Sequence, residues 1–277
     1  MTTTDTYVMG RTPEEYERLR QQSRVWQDAT VTLIDREPVA PGARCLDAGC
    51  GPGETMRLLA ERVGPTGRVT GLDVDGDLGR VAIEVLRSEG HEQCAFVEAD
   101  VETTDAVPDG GFDLVLGRLI LLHVSDPVAV LRRMWRWTAP GGRLVIQDYD
   151  LRGVEVYPEL PVVAEWRRVF LGTFTAVGRD IRLGHRLPHL FAEAGIGAPD
   201  GTEVAGRLER LASAGGMLAA TYRSVSPIAV ARGIITEAQR DAWLADMAQA
   251  MTECPDHSVL WPLLIGVHKR RFSPSGS

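Results

Sequence analysis

Asp47, Gly49, Gly51, Gly53, Asp73 and Asp100 are the residues of this 277-residue chain whose types and spacing point most directly to chemistry. In the stretch RCLDAGCGPGET, residues 44–55, Cys45, Leu46 and Ala48 read as the end of a buried strand and the glycines as a tight turn. From Glu54 the apolar positions Met56, Leu58, Leu59 and Val63 recur at helical spacing. A strand that runs through glycines into a helix brings backbone N–H groups and the positive helix end to a ligand. Glycine is required wherever a Cβ would block the turn or that approach. A dinucleotide fingerprint needs G-x-G-x-x-G. Here the run is G-x-G-x-G, and Glu54 stands at the place of the third glycine. With Asp47 just ahead of the turn, the pocket is acidic. It suits a ligand with a positive end better than a pyrophosphate.

Further acids fall at the ends of strand-like runs. Residues 67–75 form a short strand ending on Asp73 and Asp75, and Asp73 follows Gly53 by twenty residues. That interval places a carboxylate where it can accept both hydroxyls of a ribose. Alternatively, Asp73 and Asp75 serve as turn and N-cap residues for a helix over 77–88. The next strand, residues 94–98, leads to Asp100 and Val101, an acceptor for an exocyclic amine beside an apolar wall. The run 112–117 is wholly apolar apart from Asp113 and exits at Gly117-Arg118, as a parallel strand buried on both faces does. Residues 119–124 continue it, Ser125-Asp126-Pro127 opens a helix, and Pro140-Gly141-Gly142 ends that helix. A fifth strand, 143–146, emerges at Gln147, Asp148, Tyr149 and Asp150.

The elements that must position these residues are five strands alternating with helices. Each strand carries its polar or glycine residues at its C-terminal tip. That pattern is a doubly wound sheet with its site in the crevice along the tips. Ahead of it, Thr12-Pro13-Glu14-Glu15 reads as a capping box opening one amphipathic helix. Its apolar stripe is Tyr16, Leu19, Trp26, Ala29, Leu33 and Ile34, and its polar stripe holds Glu17, Arg18, Arg20 and Arg24. The stripe is either core packing or a flap with Tyr7, Tyr16, Gln22 or Trp26 turned toward the ligand. After Asp150 we expect helices over 162–177, 187–194, 208–225 and 237–251, an edge strand at 202–205 and a last strand over 259–269. Pro262 places that last strand at an edge or a bulge.

Composition narrows the function classes. The chain carries a net charge of −8, and arginine far outnumbers lysine, so unaided nucleic-acid binding is not expected. No apolar run is long enough for a membrane span. The first residues lack the basic and apolar regions of a secretory leader, and a cytoplasmic location is the expectation. Cys45, Cys50, Cys94 and Cys254 form no C-x-x-C pair and read as reduced thiols, with no metal site.

Taken in order, residues 46–53 (LDAGCGPG), Leu72-Asp73, Ala99-Asp100, residues 112–115 (FDLV) and Pro140-Gly141-Gly142 resemble the class I S-adenosylmethionine-dependent methyltransferases over about residues 42–150. The resemblance implies a Rossmann-like, doubly wound, mostly parallel seven-stranded sheet. It implies a helical flap over 1–40, a cofactor-binding core over 41–152, and acceptor-side helices and final strands of the same domain over 153–277. Residues 7–11 (YVMGR) with Glu17-Arg18-Leu19 are similar to the flap of small-molecule members in bacteria. The cofactor is then S-adenosyl-L-methionine, leaving as S-adenosyl-L-homocysteine. The set expected to hold it is Tyr16, Gln22, Asp47, Gly49, Cys50, Gly51, Thr55, Asp73, Val74, Asp100, Val101, Gly117 and Arg118.

Methyl transfer from a sulfonium is an in-line displacement in which the protein mainly supplies alignment. A general base is needed where the acceptor must lose a proton early; Asp148, His123 and Tyr149 are the candidates. Leu121-Leu122-His123-Val124 departs from relatives that carry two adjacent histidines. Neither an Asn-Pro-Pro-Tyr motif nor a Pro-Cys nucleophile is present, which disfavours DNA acceptors. The expectation is transfer to a small aromatic natural product, an indole or diketopiperazine carbon being the sharpest form, with a homodimer the expected assembly. A cofactor-dependent pericyclase or non-catalytic binder on the same fold is the alternative, and a nicotinamide oxidoreductase is disfavoured by Glu54.

Overall fold

The computed structural model describes residues 13–36 and 39–272. The proposed capping residue Thr12, Tyr7 and the polar tail after Phe272 lie outside them. The chain divides into two compact units, one of residues 19–148, 183–204 and 264–277, the other of residues 1–18, 149–182 and 205–263.

The first, here the sheet unit, is built on a seven-stranded sheet in the order β3-β2-β1-β4-β5-β10-β7. Its strands are β1 (Arg44–Ala48), β2 (Arg68–Asp73), β3 (Cys94–Glu98), β4 (Phe112–Arg118), β5 (Thr138–Asp150), β7 (Gly201–Ala205) and β10 (Leu263–Arg270). The first five pair in parallel, with Asp47 opposite Gly71 and Leu116, and Arg118 opposite Gln147. The helices α3 (Glu54–Val63), α4 (Gly76–Ser88) and α5 (Pro127–Trp137) connect them. Strands flanked by helices bury both faces, so β1 is buried from Cys45 to Ala48 and β4 from Leu114 to Gly117, apolar throughout apart from Asp47. The expected sheet of five strands and its edge strand at 202–205 are therefore present. The last strand differs from expectation: Trp261 and Pro262 split it into β9 (Ser258–Leu260) and β10, and β10 lies inside the sheet rather than at its edge. Proline lacks the N–H that a ladder needs, so the chain leaves one sheet before it enters the other.

The leading helix also differs. It breaks at Trp26 into α1 (Pro13–Val25) and α2 (Gln27–Asp35). Leu33 of α2 fills the space where a side chain at Gly266 of β10 would stand. Arg18, expected on the solvated stripe, is 5% exposed and holds Glu15 through two hydrogen bonds of 2.6 and 2.8 Å. Burial of a charge is tolerable only with such a partner. Within the sheet unit, Arg271 donates to the carbonyls of Trp135, Arg136 and Thr138. It thus places a cation at the C-terminus of α5, where the helix dipole favours one.

The second, or helical, unit contains α6 (Pro161–Ala176), α8 (Leu211–Ala231) and α9 (Glu237–Glu253) and a small antiparallel sheet, β6 (Glu155–Tyr157), β9 and β8 (Leu208–Arg210). Its core is aromatic. Tyr222 stacks on Trp243 with centroids 3.8 Å apart, and Trp166 stacks on Phe170 at 4.5 Å. The indole N–H groups of Trp166 and Trp243 donate to the carbonyls of Leu218 and Val162, so each ring is fixed at its polar end as well as its faces. The helix α7 (Leu183–Glu193) belongs to the sheet unit. Cys45, Cys50 and Cys94 are buried free thiols, and Cys254 is partly exposed. No helix among the described residues is long and apolar enough to cross a membrane.

Candidate cofactor site at the strand tips

The glycine loop between β1 and α3 has its expected shape, with Gly49, Gly51 and Gly53 all at positive φ. Its hydrogen bonds correct one expectation. The N–H groups of Gly49 and Cys50 donate to the Leu72 carbonyl, that of Gly53 to the Cys50 carbonyl, and that of Gly51 to Asp73 Oδ2 at 2.9 Å. Pro52 has none to give. Every loop N–H from 49 to 53 is therefore spent within the protein, and the loop offers a phosphate no cradle. Glu54, the residue taken to repel a pyrophosphate, is paired with Arg57 at 2.6 Å.

What the tips offer is acceptors. Asp47 is 1% exposed, and its Oδ2 has no hydrogen-bond partner among the described residues. Burial pushes its pKa up to about 7; the Arg118 guanidinium acts against that shift and Asp73 adds to it. A buried, unsatisfied carboxylate oxygen costs folding energy on the order of 1–3 kcal/mol or more, and it is the kind of defect a ligand donor relieves. Asp73 ends β2 with its two oxygens taking the N–H groups of Gly51 and Asp75 at 2.9 and 3.0 Å. Burial raises its pKa, and those hydrogen bonds act the other way. The N-cap of α4 is Asp75, which accepts from Leu78. Asp75 thus takes the N-cap role considered for it, and Asp73, accepting from the Asp75 N–H, takes the turn role. Val74, between them, is 52% exposed.

Asp100 lies exposed after β3, its Oδ1 accepting from the Glu102 N–H at 2.8 Å, with Val101 buried beside it. Glu102 in turn accepts from the backbone of Ser125 and Asp126, which ties the Asp100 loop to the start of α5.

At the β4 exit, Arg118 donates to the hydroxyls of Ser23 and Thr30, and Thr30 donates to Gln147 Oε1 at 2.8 Å. One polar chain thus links the tips of β4 and β5 to the α1–α2 segment. Leu119 then takes φ +55, a conformation costly for a branched side chain and typical of functional turns. It turns Ile120 back over the loop, where a Cβ on Gly49 would meet Ile120 Cδ1 at 2.8 Å and one on Gly117 would meet Ile120 Cγ2 at 3.1 Å. Ile120 thus fills the space beside Gly49, and Gly117 is hemmed in by Met134 Cε at 2.7 Å as well as by Ile120 and Ile146.

A single 3₁₀ turn, Leu121–His123, follows, its Leu122 N–H donating to Asp148 Oδ2 at 3.2 Å. Asp148 is fully buried and His123 half-buried.

Of the expected residues, the sheet unit brings Asp47, Gly49, Gly51, Asp73, Val74, Asp100, Val101, Gly117, Arg118, His123 and Asp148 to its strand tips. Gln22 lies on α1 and is half-buried. Thr55 is buried in α3, and the Cys50 thiol lies in the core beside Gly71, so only the backbone at Cys50 faces the loop. Tyr16 and Tyr149 belong to the helical unit. Sequence reasoning missed Ser23, Thr30, Gln147, Leu119 and Ile120. Only the apolar Leu119-Ile120 pair directly after Gly117-Arg118 carried any local signal of its place.

The chain matches the methyltransferase-domain family over residues 39–195. It is 31% identical over 161 residues to the 2-phytyl-1,4-naphtoquinone methyltransferase of Thermosynechococcus vestitus, covering 56% of this chain and 66% of that one. Among solved structures, a SAM-dependent methyltransferase from Aquifex aeolicus superposes with a TM-score of 0.55 at 15% identity, covering 95% of this chain and 100% of that one. The [4+2]-cyclase SpnF superposes with a TM-score of 0.52 at 20% identity, covering 89% and 82%. The chain spans about half the length of several curated relatives it matches. A glycine loop closed on β2, acids at successive strand tips and a seven-stranded sheet accompany these matches: the chain belongs to the methyltransferase-domain family, with the Rossmann-like fold of the class I S-adenosylmethionine-dependent enzymes.

Proposed function

We propose that this protein transfers a methyl group from S-adenosyl-L-methionine to a small-molecule acceptor. The observation that carries this reading is the surplus of acceptors over donors at the strand tips. The residues fit the cofactor: Asp47 has an unsatisfied buried oxygen for an ammonium, Asp73 stands where ribose hydroxyls would be held, and Asp100 and Val101 suit the adenine amine and ring. Val74, exposed after Asp73, is the second apolar wall for that ring. When bound, the cofactor supplies a methyl group already activated on a positively charged sulfur. The protein's task is then alignment, worth about 7–11 kcal/mol when reactants are well oriented.

In this reading Arg118 holds the β4 exit in place through Ser23 and Thr30, and Ile120 closes the space over Gly49. Asp148 acts as a positioning residue, because its buried carboxylate fixes the turn that carries His123. His123 is the candidate to touch the acceptor or take its proton. Tyr16 and Tyr149 lie in the helical unit and carry no role in this reading. The acceptor class is a small aromatic natural product, most sharply an indole or diketopiperazine carbon. The 2-phytyl-1,4-naphtoquinone methyltransferase, an enzyme named for a flat ring substrate, supports an aromatic acceptor.

Incubation with isotopically labelled donor and panels of indoles, diketopiperazines and naphthoquinols tests the proposal: labelled product and S-adenosylhomocysteine should appear together. NADH binding in calorimetry without S-adenosylmethionine binding would sink it. A cyclase shares the fold; bound cofactor with acceptor consumed and no homocysteine product would favour that second reading.

A further inference from the structure

The small sheet of the helical unit has one covered and one bare face. Register places Glu155, Leu260 and Leu208 in one row across β6, β9 and β8, and Tyr157, Ser258 and Arg210 in the next. Side chains directly opposite one another share a face, so these six point the same way. The alternate residues include Val259, which is fully buried, and Glu209, which is engaged by the Trp261 indole. On the bare face Tyr157 is 79% exposed and Leu208 69% exposed. They are the two most exposed of the large hydrophobic side chains borne on strands or helices, and they sit at opposite corners.

Glu155 and Arg210 occupy the other two corners. Each already has a surface partner, Arg167 at 3.9 Å and Asp256 at 3.1 Å, so the patch is locally neutral on a chain of net charge −8.

We infer that this face is the centre of a two-fold interface with a second copy of the chain. A two-fold axis along the Tyr157–Leu208 diagonal sets Tyr157 on Tyr157 of the second copy, Leu208 on Leu208, and Glu155 against Arg210 in both directions. An isologous interface requires such self-complementarity, and opposite charges at its rim fix register. Six side chains fall short of the roughly 800 Å² per partner typical of a stable pair; Pro158, Glu159 and Gly206 beside them are exposed and extend the surface a second copy would cover.

Sedimentation equilibrium of the full chain tests this. The wild type should be dimeric at micromolar concentration. Leu208→Glu should raise the dimer dissociation constant about ten-fold or more, with circular dichroism and S-adenosylmethionine affinity unchanged. Glu155→Arg and Arg210→Glu should each weaken the dimer, and combining the two should restore it, because each new charge then meets its opposite across the axis. A monomeric wild type overturns the inference. So does a dimer indifferent to Leu208→Glu, or a double variant no better than the singles.

Discussion

The two units solve the same problem, fixing side chains in space, by opposite means. In the sheet unit the fixing is polar and close-fitting: loop amides closed on β2, a carboxylate buried without a full set of partners, glycines with an isoleucine pressed between them. In the helical unit it is apolar and broad, through stacked aromatic rings on α6, α8 and α9. The sheet unit should therefore respond to single atoms with changes in binding. The helical unit should respond to lost volume with changes in stability.

The largest expected effect lies in the helical unit. Trp243→Ala removes the ring stacked on Tyr222 and the bond to the Val162 carbonyl, and should cost about 3–5 kcal/mol. Chemical denaturation measures it. Affinity for S-adenosylmethionine per folded molecule should stay unchanged, and a comparable loss of affinity would break the division between the units. Next comes Gly49→Val, which adds a side chain at φ +76 against Ile120. Backbone strain of about 1–2 kcal/mol and overpacking of about 1–3 kcal/mol should appear as lost stability in chemical denaturation, and the displaced loop should bind the cofactor more weakly in calorimetry. Adding Ile120→Ala should restore part of it. Gly51→Ala, whose Cβ meets nothing within 4 Å, should be milder than Gly49→Val in the same titration.

Asp73→Ala comes third, costing about 1.5–3 kcal/mol of cofactor affinity through lost charge-assisted hydrogen bonds. An unchanged dissociation constant would remove Asp73 from the proposed site. The smallest effect depends on pH. With Asp47 held near pKa 7 by burial, an ammonium binds the ionised form, so affinity should rise with pH and level off above neutrality. At pH 6 the dissociation constant should be about ten-fold weaker than at pH 8, and binding should release close to one proton at pH 6 and almost none at pH 8. Asp47→Asn should abolish both. The stability sign is opposite. The folded chain keeps a proton that the unfolded chain loses above 3.8, so this group's contribution falls as pH rises from 3.8 to about 7.

The same contrast explains what could be read from the chain alone. Asp73, Asp100 and the glycine loop were legible because each sits a fixed short distance from its own strand. The polar chain Arg118–Ser23–Thr30–Gln147 was not, since its bonded partners Thr30 and Gln147 lie 117 residues apart, and Ser23 and Thr30 are unremarkable locally. Arg18 was misread as solvated because helical periodicity gives the face of a residue but not whether a neighbour three positions away neutralises it. Pro262 marked a break correctly, but only the sheet order shows that the strand after it returns to the interior. In the helical unit the helices were visible from their periodicity, but the one expected over 208–225 begins only at Leu211, because residues 208–210 pair with β9 as β8. The stacking of Tyr222 on Trp243 depends on packing between helices, which no local pattern encodes.

The buried thiols carry a practical consequence. Burial drives the Cys45 thiol up to about 12 and Cys94 up to about 11, and Cys50 well above its ordinary value, so none presents a reactive thiolate while the fold is closed. Cys254 is the partly exposed one. A maleimide added to the native protein should therefore label one sulfur promptly and the other three only as the strands part. The wild-type chain carries its own clock for the opening of its sheet, with one start mark on the helical unit and three hands in the sheet.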